Sequence, residues 1–306
     1  MRLALIAKPG HPNFQLVMRT VLQWCCRSGT PLHASQAHLE QIRAASEQEL
    51  EDGRETGDLT RCVTLTDSDE QSVERADFVL TIGGDGTILR AAQLVKGLRR
   101  PILGIHSGKL GFLASILEPQ IEQALDALQS GDIVLDQREM LAAEHPDGTV
   151  FEALNEFLFT RKDTISMIRM SATYDGMLIN NYWADGLIVA SPTGSTAYNL
   201  SSGGPIVLPG TRVMALTPIN PHTLTTRPLI LPSDRALEIE IVEQPDHVLF
   251  SYDGFIETRT FDPLRFTIRH SGTFIELVRL PGQNYFETLR RKLMWGADAR
   301  SLSENL

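Results

Sequence analysis

Five consecutive residues, Gly83-Gly84-Asp85-Gly86-Thr87, bring together three glycines, a carboxylate and a hydroxyl. The preceding Asp77-Phe78-Val79-Leu80-Thr81-Ile82 reads as a short buried strand, and residues 88–95 read as a helix. A glycine turn in that setting lets backbone N–H groups approach a phosphate and aims the positive end of the helix at it. A carboxylate among such amides repels phosphate unless it has a task. It could hold a metal, or take a proton from an attacking hydroxyl. The chemistry indicated is phosphoryl transfer. The competing reading makes Asp85 a capping residue that satisfies free amides.

Four further stretches have chemical potential. Ser107-Gly108-Lys109-Leu110-Gly111-Phe112-Leu113 follows a predicted strand at 102–105, at the carboxyl end where ligands of open α/β sheets collect. Lys109 either offers a cation to a phosphate or is merely exposed, while Gly108 and Gly111 shape a loop. Asn155-Glu156 interrupts an apolar strand at 153–159. Two buried polar groups there are costly unless paired; they could grip ribose hydroxyls, or the strand could leave the sheet for one turn. Residues 184–205 run from a buried strand into hydroxyls, glycines and Tyr198. Such a segment suits a polar pocket that reads a base edge, with Tyr198 stacking on a ring. A serine nucleophile fits poorly, because Gly194-Ser195-Thr196-Ala197-Tyr198 lacks the G-x-S-x-G elbow. His222, in the loop Pro221-His222-Thr223-Leu224, is a substrate contact or a structural hydrogen-bonding residue.

These stretches need elements to position them. With 306 residues, 42% of them hydrophobic and 22% charged, the chain can build two domains with sizeable cores. No apolar run approaches the ~20 residues of a membrane span, and the first residues read as a strand rather than a secretory signal. Cys25, Cys26 and Cys62 show no metal-ligand spacing, which suits a reduced, cytoplasmic setting. A net charge of −10 disfavours nonspecific binding to nucleic acid or acidic membranes. The acidic run containing Glu47, Glu49, Glu51, Asp52, Glu55 and Asp58 reads as a solvated helix face or loop without a catalytic role.

Strand and helix alternate through the first ~140 residues, as an open parallel sheet requires. Strands are predicted at 3–7, 62–65, 78–82 and 102–105. Phe14, Val17, Met18, Val21, Leu22 and Cys25 recur at helical spacing, and a helix carrying Ile121, Leu125 and Leu128 should end at Gly131. From about residue 138 the signals are those of β structure. Asp175-Gly176 and Asp253-Gly254 are hairpin turns, flanked by strands at 167–174 and 177–183 and at 248–252 and 255–260. Further strands are predicted at 236–242, 264–269 and 274–280. A final helix at 285–294 carries Phe286, Leu289 and Leu293 on one side. The domains predicted are an α/β domain at 1–140, to which 281–306 returns, and a β-rich domain at 141–280.

Taken together, the stretches around Gly83, Gly108, Asn155, Asp185, His222 and Arg227-Pro228-Leu229 resemble the NAD kinase family of bacterial type, over roughly residues 3–295. The resemblance implies a Rossmann-like α/β domain, an all-β sandwich-like C-terminal domain, and a last helix packed on the first, with the active site between the domains. It implies transfer of the γ-phosphoryl of ATP to the 2′-hydroxyl of the adenosine ribose of NAD, giving NADP. Asp85 would accept the proton of that hydroxyl. Gly83, Gly84, Gly86 and Thr87 would form the phosphate-facing turn, with Arg90 a phosphate contact. Asn155 and Glu156 would hold the adenosine portion, and Asp185 a base or amide edge. Thr196, Ala197, Tyr198, Asn199, Leu200 and Ser201 would line the NAD pocket, with His222 and Asp253 further contacts. A divalent cation, magnesium, would bridge the phosphates, and the chain would assemble as a homodimer or homotetramer. One departure stands out: two positions after Asp253 the family often has a polar residue, and here it is Phe255.

Lipid and sugar-phosphate kinases share the G-G-D-G turn, but not the pocket at 185–205. A non-catalytic NADP(H) sensor on the same scaffold would be expected to lose Asp85 or its glycines, and all are present.

Overall fold

The computed structural model describes residues 1–10, 13–47, 58–108, 111–162, 166–243 and 245–295. Lys109 and the acidic residues Glu49, Glu51, Asp52 and Glu55 lie outside them. The chain divides into two compact units, Met1–Asp136 with Glu276–Leu306, and Gln137–Ile275.

The first unit holds a parallel sheet in the order Ile102–His106, Phe78–Gly83, Leu3–Ala7, Leu32–Ser35, Val63–Thr66. Leu3–Ala7 is buried at every position, as expected of a central strand covered on both faces. The chain builds outward from this strand in one direction, then crosses to its other side with Phe78–Gly83. The strand order therefore reverses between Leu3–Ala7 and Phe78–Gly83, and such a reversal opens a crevice at the carboxyl ends of the two strands. Helix Phe14–Ser28 buries Phe14, Val17, Met18, Val21, Leu22 and Cys25, the predicted stripe, and with them Trp24 and Arg19. It ends at Gly29, whose left-handed backbone (φ +70°) returns its N–H to the Cys25 carbonyl. Helix Ile121–Ser130 ends at Gly131 in the same conformation (φ +80°). The strand Leu32–Ser35 and the helices Leu39–Glu47 and Asp69–Arg75 lack a strong sequence signal.

Two parts of the last fifty residues differ from the sequence expectation. The strands expected at 264–269 and 274–280 are one strand, Arg265–Arg279. Ser271-Gly272-Thr273 reads as a turn, but Gly272 takes a left-handed conformation (φ +82°) inside the strand and donates its N–H to His270 Nδ1 at 3.0 Å. Leu277 of this strand pairs in parallel with Ile102. The terminal helix Tyr285–Leu293 belongs to the first unit and buries Leu289. Its inward stripe runs through Tyr285, Leu289 and Leu293, so Phe286 falls outside it and is 54% exposed.

The second unit is built of two sheets. One contains Met177–Ala184, Ile168–Tyr174, Leu237–Ile241 and the start of Arg265–Arg279, all antiparallel. The other has six strands, in the order Leu229–Pro232, Val213–Ile219, Gly186–Ala190, Glu156–Arg161, Val248–Tyr252, Phe255–Ile256. One apolar cluster draws Met170, Ile239 and Phe266 from the first sheet and Phe157, Val189 and Leu216 from the second, the arrangement of a sandwich. Both predicted hairpin turns are present. Asp175 and Gly176 have φ of +52° and +78°, and Asp253 and Gly254 have +50° and +81°, the double positive φ of a type I′ turn. The strand after Asp253-Gly254 is only two residues long, not the six expected.

Candidate active site

The strand Phe78–Gly83 delivers the glycine turn to the crevice where the strand order reverses. Gly84 caps the helix Asp85–Val95, so Asp85 is its first residue. The Asp85 side chain does not cap its own helix. Oδ2 accepts the Phe112 N–H at 2.8 Å, and Oδ1 accepts those of Leu113 and Ala114 at 3.1 Å each. Gly111 allows this approach, because a Cβ at that position would overlap the Asp85 carboxylate. The capping reading of Asp85 thus holds in part: it satisfies free amides, but those of the loop after Ile102–His106. A carboxylate offers about four acceptor positions, and three are filled, which leaves room on Oδ2 for one more donor.

Asp85 lines an open cleft of about 420 Å³ together with Lys8, Pro9, Gly10, Gly83, Gly84, His106, Ser107, Gly111 and Lys292. Beside Gly83 lies Thr87, whose Oγ1 is buried with no hydrogen-bond partner among the described residues. Gly84 and Gly86 have open space where a Cβ would sit, and neither has a positive φ. Nothing in the described chain requires glycine at these two positions, whereas a ligand approaching the backbone would.

Arg90 lies one turn further along and points elsewhere. Its guanidinium pairs with Asp69 Oδ2 at 2.6 Å. Asp69 is buried and also accepts the Ser35 hydroxyl at 2.6 Å, with His38 Nε2 at 3.3 Å. Burial works against ionisation of Asp69, but the hydrogen bonds from His38 and Ser35 and the charge of Arg90 outweigh it and hold the carboxyl below its ordinary range.

In the second unit the organising group is Asp253. Its carboxylate accepts the N–H groups of Leu154 at 2.8 Å, Asn155 at 2.6 Å and Glu156 at 3.3 Å. This grip takes residues 154–155 out of the strand predicted at 153–159, which is split into Val150–Ala153 and Glu156–Arg161. The Asn155 carbonyl accepts the Ser191 N–H at 2.8 Å, and the Ser191 hydroxyl bonds the Leu154 carbonyl. Gly194 packs so closely on the Asn155 backbone that a Cβ would not fit. The Asn155-Glu156 turn and the Ser191–Gly194 loop are therefore locked together. Glu156 Oε2 is buried without a hydrogen-bond partner among the described residues. Burial, and then the neighbouring charge of Asp253, push its carboxyl up to about 8.

The remaining predicted contacts divide by exposure. Tyr198 is 43% exposed, and Thr196, Ala197 and Leu200 are half-buried with Ser201 exposed. Asn199 is fully buried. It donates to the carbonyls of Ser195 and Pro205 at 3.1 Å each and accepts the Thr217 hydroxyl at 2.6 Å, so its amide shapes the loop from within. Asp185 lies 3.3 Å from Arg161 Nε and accepts from Asn220 at 3.1 Å. The exposed His222 stacks on Trp183, with ring centres 4.4 Å apart. Phe255, where a polar residue was expected, is 38% exposed beside Tyr252.

Lys8, His106 and Lys292 line the cleft without having stood out in the sequence. Lys8 immediately follows the first strand, which was a usable signal; nothing local marks His106 or Lys292.

Residues 3–133 match the family profile described as ATP-NAD kinase N-terminal domain, and residues 154–280 match the ATP-NAD kinase C-terminal domain. The NAD kinase of Gemmatimonas aurantiaca is 36% identical over 302 residues, covering 97% of this chain and 96% of that protein. The chain belongs to the NAD kinase family. It is a phosphotransferase of that family, and the NAD kinase of Cytophaga hutchinsonii is a further relative, 39% identical over 77% of this chain and 82% of that one. Among solved structures, yeast NADH kinase complexed with NADH shares the fold with a TM-score of 0.82 at 24% identity, over 97% of this chain and 89% of that one. An NAD kinase from Archaeoglobus fulgidus in complex with ATP gives 0.71 at 25% identity, over 96% and 99%.

Proposed function

We propose that this kinase transfers the γ-phosphoryl group of ATP to the 2′-hydroxyl of the adenosine ribose of NAD, with Asp85 accepting the hydroxyl proton. The observation that carries this reading is the Asp85 carboxylate, fixed by three amides and lining a cleft beside Gly84, a glycine with no internal need to be glycine. In the transfer, the ribose 2′-oxygen forms a bond to the γ-phosphorus, the bond from that phosphorus to the β,γ-bridging oxygen breaks, and ADP departs. The proton passes to Asp85 Oδ2, at the acceptor position the amides leave open, and from there to solvent. Such a reaction asks for alignment and fixed dipoles rather than covalent chemistry from the protein.

On this reading the dinucleotide is held by the second unit. The Asn155-Glu156 turn takes the adenosine portion, and a Glu156 carboxyl that stays protonated near neutral pH can donate to a hydroxyl. Tyr198, with Thr196, Ala197 and Ser201, offers the accessible wall of the pocket, while Asn199 and Asp253 hold the frame behind it. Asp185 and His222 are further dinucleotide contacts. Arg90 acts by fixing the helix Asp85–Val95 through Asp69.

The family resemblance implies magnesium. Among the described residues, no group of three or more His, Cys, Asp or Glu side chains converges to hold a metal, and the carboxylate in the cleft is largely taken. The described residues do not fit a dedicated metal site, and the cation would be carried by the nucleotide phosphates. We also assign the chain to the cytoplasm as a homodimer or homotetramer; no described helix is long and apolar enough to cross a membrane.

The test is incubation of purified protein with ATP and NAD, with the product examined by phosphorus NMR. Phosphate on the adenosine 2′-oxygen is expected. A lack of dinucleotide phosphorylation, or phosphate on another hydroxyl, would overturn the reading.

A further inference from the structure

We propose that Lys8 and Lys292 form a cation pair that binds the triphosphate of the phosphoryl donor. This rests on the reading of the chain as an ATP-dependent kinase and names residues that hold the donor.

The two lysines reach one cleft from opposite ends of the sequence. Lys8 directly follows the strand Leu3–Ala7, and its N–H donates to the Ile82 carbonyl at 3.0 Å. That bond pins it across the strand-order reversal from the Gly83-Gly84 turn. Lys292 lies in the last turn of the helix Tyr285–Leu293, where Arg290 and Arg291 add to the positive field. Its ammonium is 5.6 Å from the centre of the Phe112 ring, and Phe112 is one of the residues whose amides hold Asp85. The preceding segment is tied to the same loop, because Gln283 donates to the Ser115 carbonyl at 3.3 Å.

Both lysines line the cleft with Gly83, Gly84 and Asp85. Among the described residues neither has an ion-pair partner. Two lysines without ion-pair partners share the cleft with one carboxylate whose charge is already spread over three amides, so the cleft attracts anions. Open space at Gly84 suits phosphate oxygens at the same wall. The ligand class is a polyanion reaching both sides of the cleft. Of the two substrates, the donor fits it, since the residues read as dinucleotide contacts all lie between 155 and 253.

Both lysines are exposed, so replacing them leaves the core intact. The experiment uses Lys8→Met, Lys292→Met, the double variant and the two Lys→Arg variants. Binding of inorganic tripolyphosphate is measured by calorimetry, and KM for ATP and for NAD by steady-state kinetics. Each Met variant should weaken tripolyphosphate binding and raise KM for ATP about tenfold, and the double variant about a hundredfold, as expected for one charge-assisted contact per lysine. KM for NAD should move less than about twofold, and the Arg variants should retain most of the affinity. A double variant that binds tripolyphosphate and ATP like wild type would overturn the proposal, as would a loss that falls on NAD instead. If wild type fails to phosphorylate NAD yet binds tripolyphosphate through these lysines, the cation pair stands and the functional reading falls.

Discussion

The Asp253 carboxylate accepts the backbone N–H of Asn155 at 2.6 Å, across 98 residues of sequence. A residue that reads as a substrate contact is thereby the peg on which the Asn155-Glu156 turn hangs. The same carboxylate takes the amides of Leu154 and Glu156, so its removal leaves three N–H groups to find new partners in a buried site.

Asp253→Ala should therefore act first on stability. A buried donor left without a partner costs about 1–3 kcal/mol, and water entering the space will recover part of the total. A loss of about 2–4 kcal/mol in urea unfolding is expected, together with a raised KM for NAD. Asp253→Asn keeps one acceptor oxygen and a residue type that tolerates positive φ, so its loss should be smaller by half or more. Equal stability of Asp253→Ala and wild type would remove the peg from this account.

Glu156 gives a pH dependence with a definite sign. Its folded carboxyl titrates at about 8, against 4.5 for the ordinary group. Between those values the folded state holds a proton that the unfolded state has released, so stability falls as pH rises from about 4.5 to 8. The slope is at most about 1.4 kcal/mol per pH unit for one proton. Glu156→Gln carries no charge in either state and should flatten that slope, making the variant relatively more stable at pH 8 than at pH 5. Urea midpoints across this range for the two proteins decide the matter; parallel curves would mean that Glu156 does not titrate there.

Two glycines of the cleft separate fold from function. At Gly111 a Cβ would collide with the Asp85 carboxylate, so Gly111→Ala should displace that carboxylate and, on the proposed mechanism, lower kcat about a hundredfold or more. At Gly84 a Cβ meets nothing within 4 Å. Gly84→Ala should keep thermal stability within a few degrees while raising KM for ATP. If Gly84→Ala unfolds the protein, or Gly111→Ala turns over normally, the stated roles of these glycines are wrong.

What the sequence made legible was local. Asp175-Gly176 and Asp253-Gly254 specify their turns by residue type, and the apolar stripe of Phe14–Ser28 specifies both its helix and its buried face. The strand–glycine–helix pattern around Asp85 specifies its place at the first turn of the helix. The features that escaped depend on partners far along the chain. Nothing near Asn155 says that a carboxylate 98 positions later will pull it out of its strand. Lys292 meets the cleft of Asp85 only because the terminal helix belongs to the first unit. Ser271-Gly272-Thr273 has turn composition, yet Gly272 uses its conformational freedom within a continuous strand. Arg90 reads as a phosphate contact on its helix, while the buried Asp69 that claims it is 21 residues upstream.

The most direct test of the central claim is the turnover of Asp85→Asn at saturating ATP and NAD. The substitution replaces one carboxylate oxygen by an amide NH₂, which cannot accept the ribose proton and faces the loop amides as a second donor. Some loosening of residues 112–114 is therefore expected, and circular dichroism with ATP binding checks that fold and donor site survive. The account predicts a kcat at least about 10²-fold below wild type, with ATP still bound. A variant that forms NADP within about tenfold of the wild-type rate would contradict it, because the proton of the attacking hydroxyl would then be going somewhere other than Asp85.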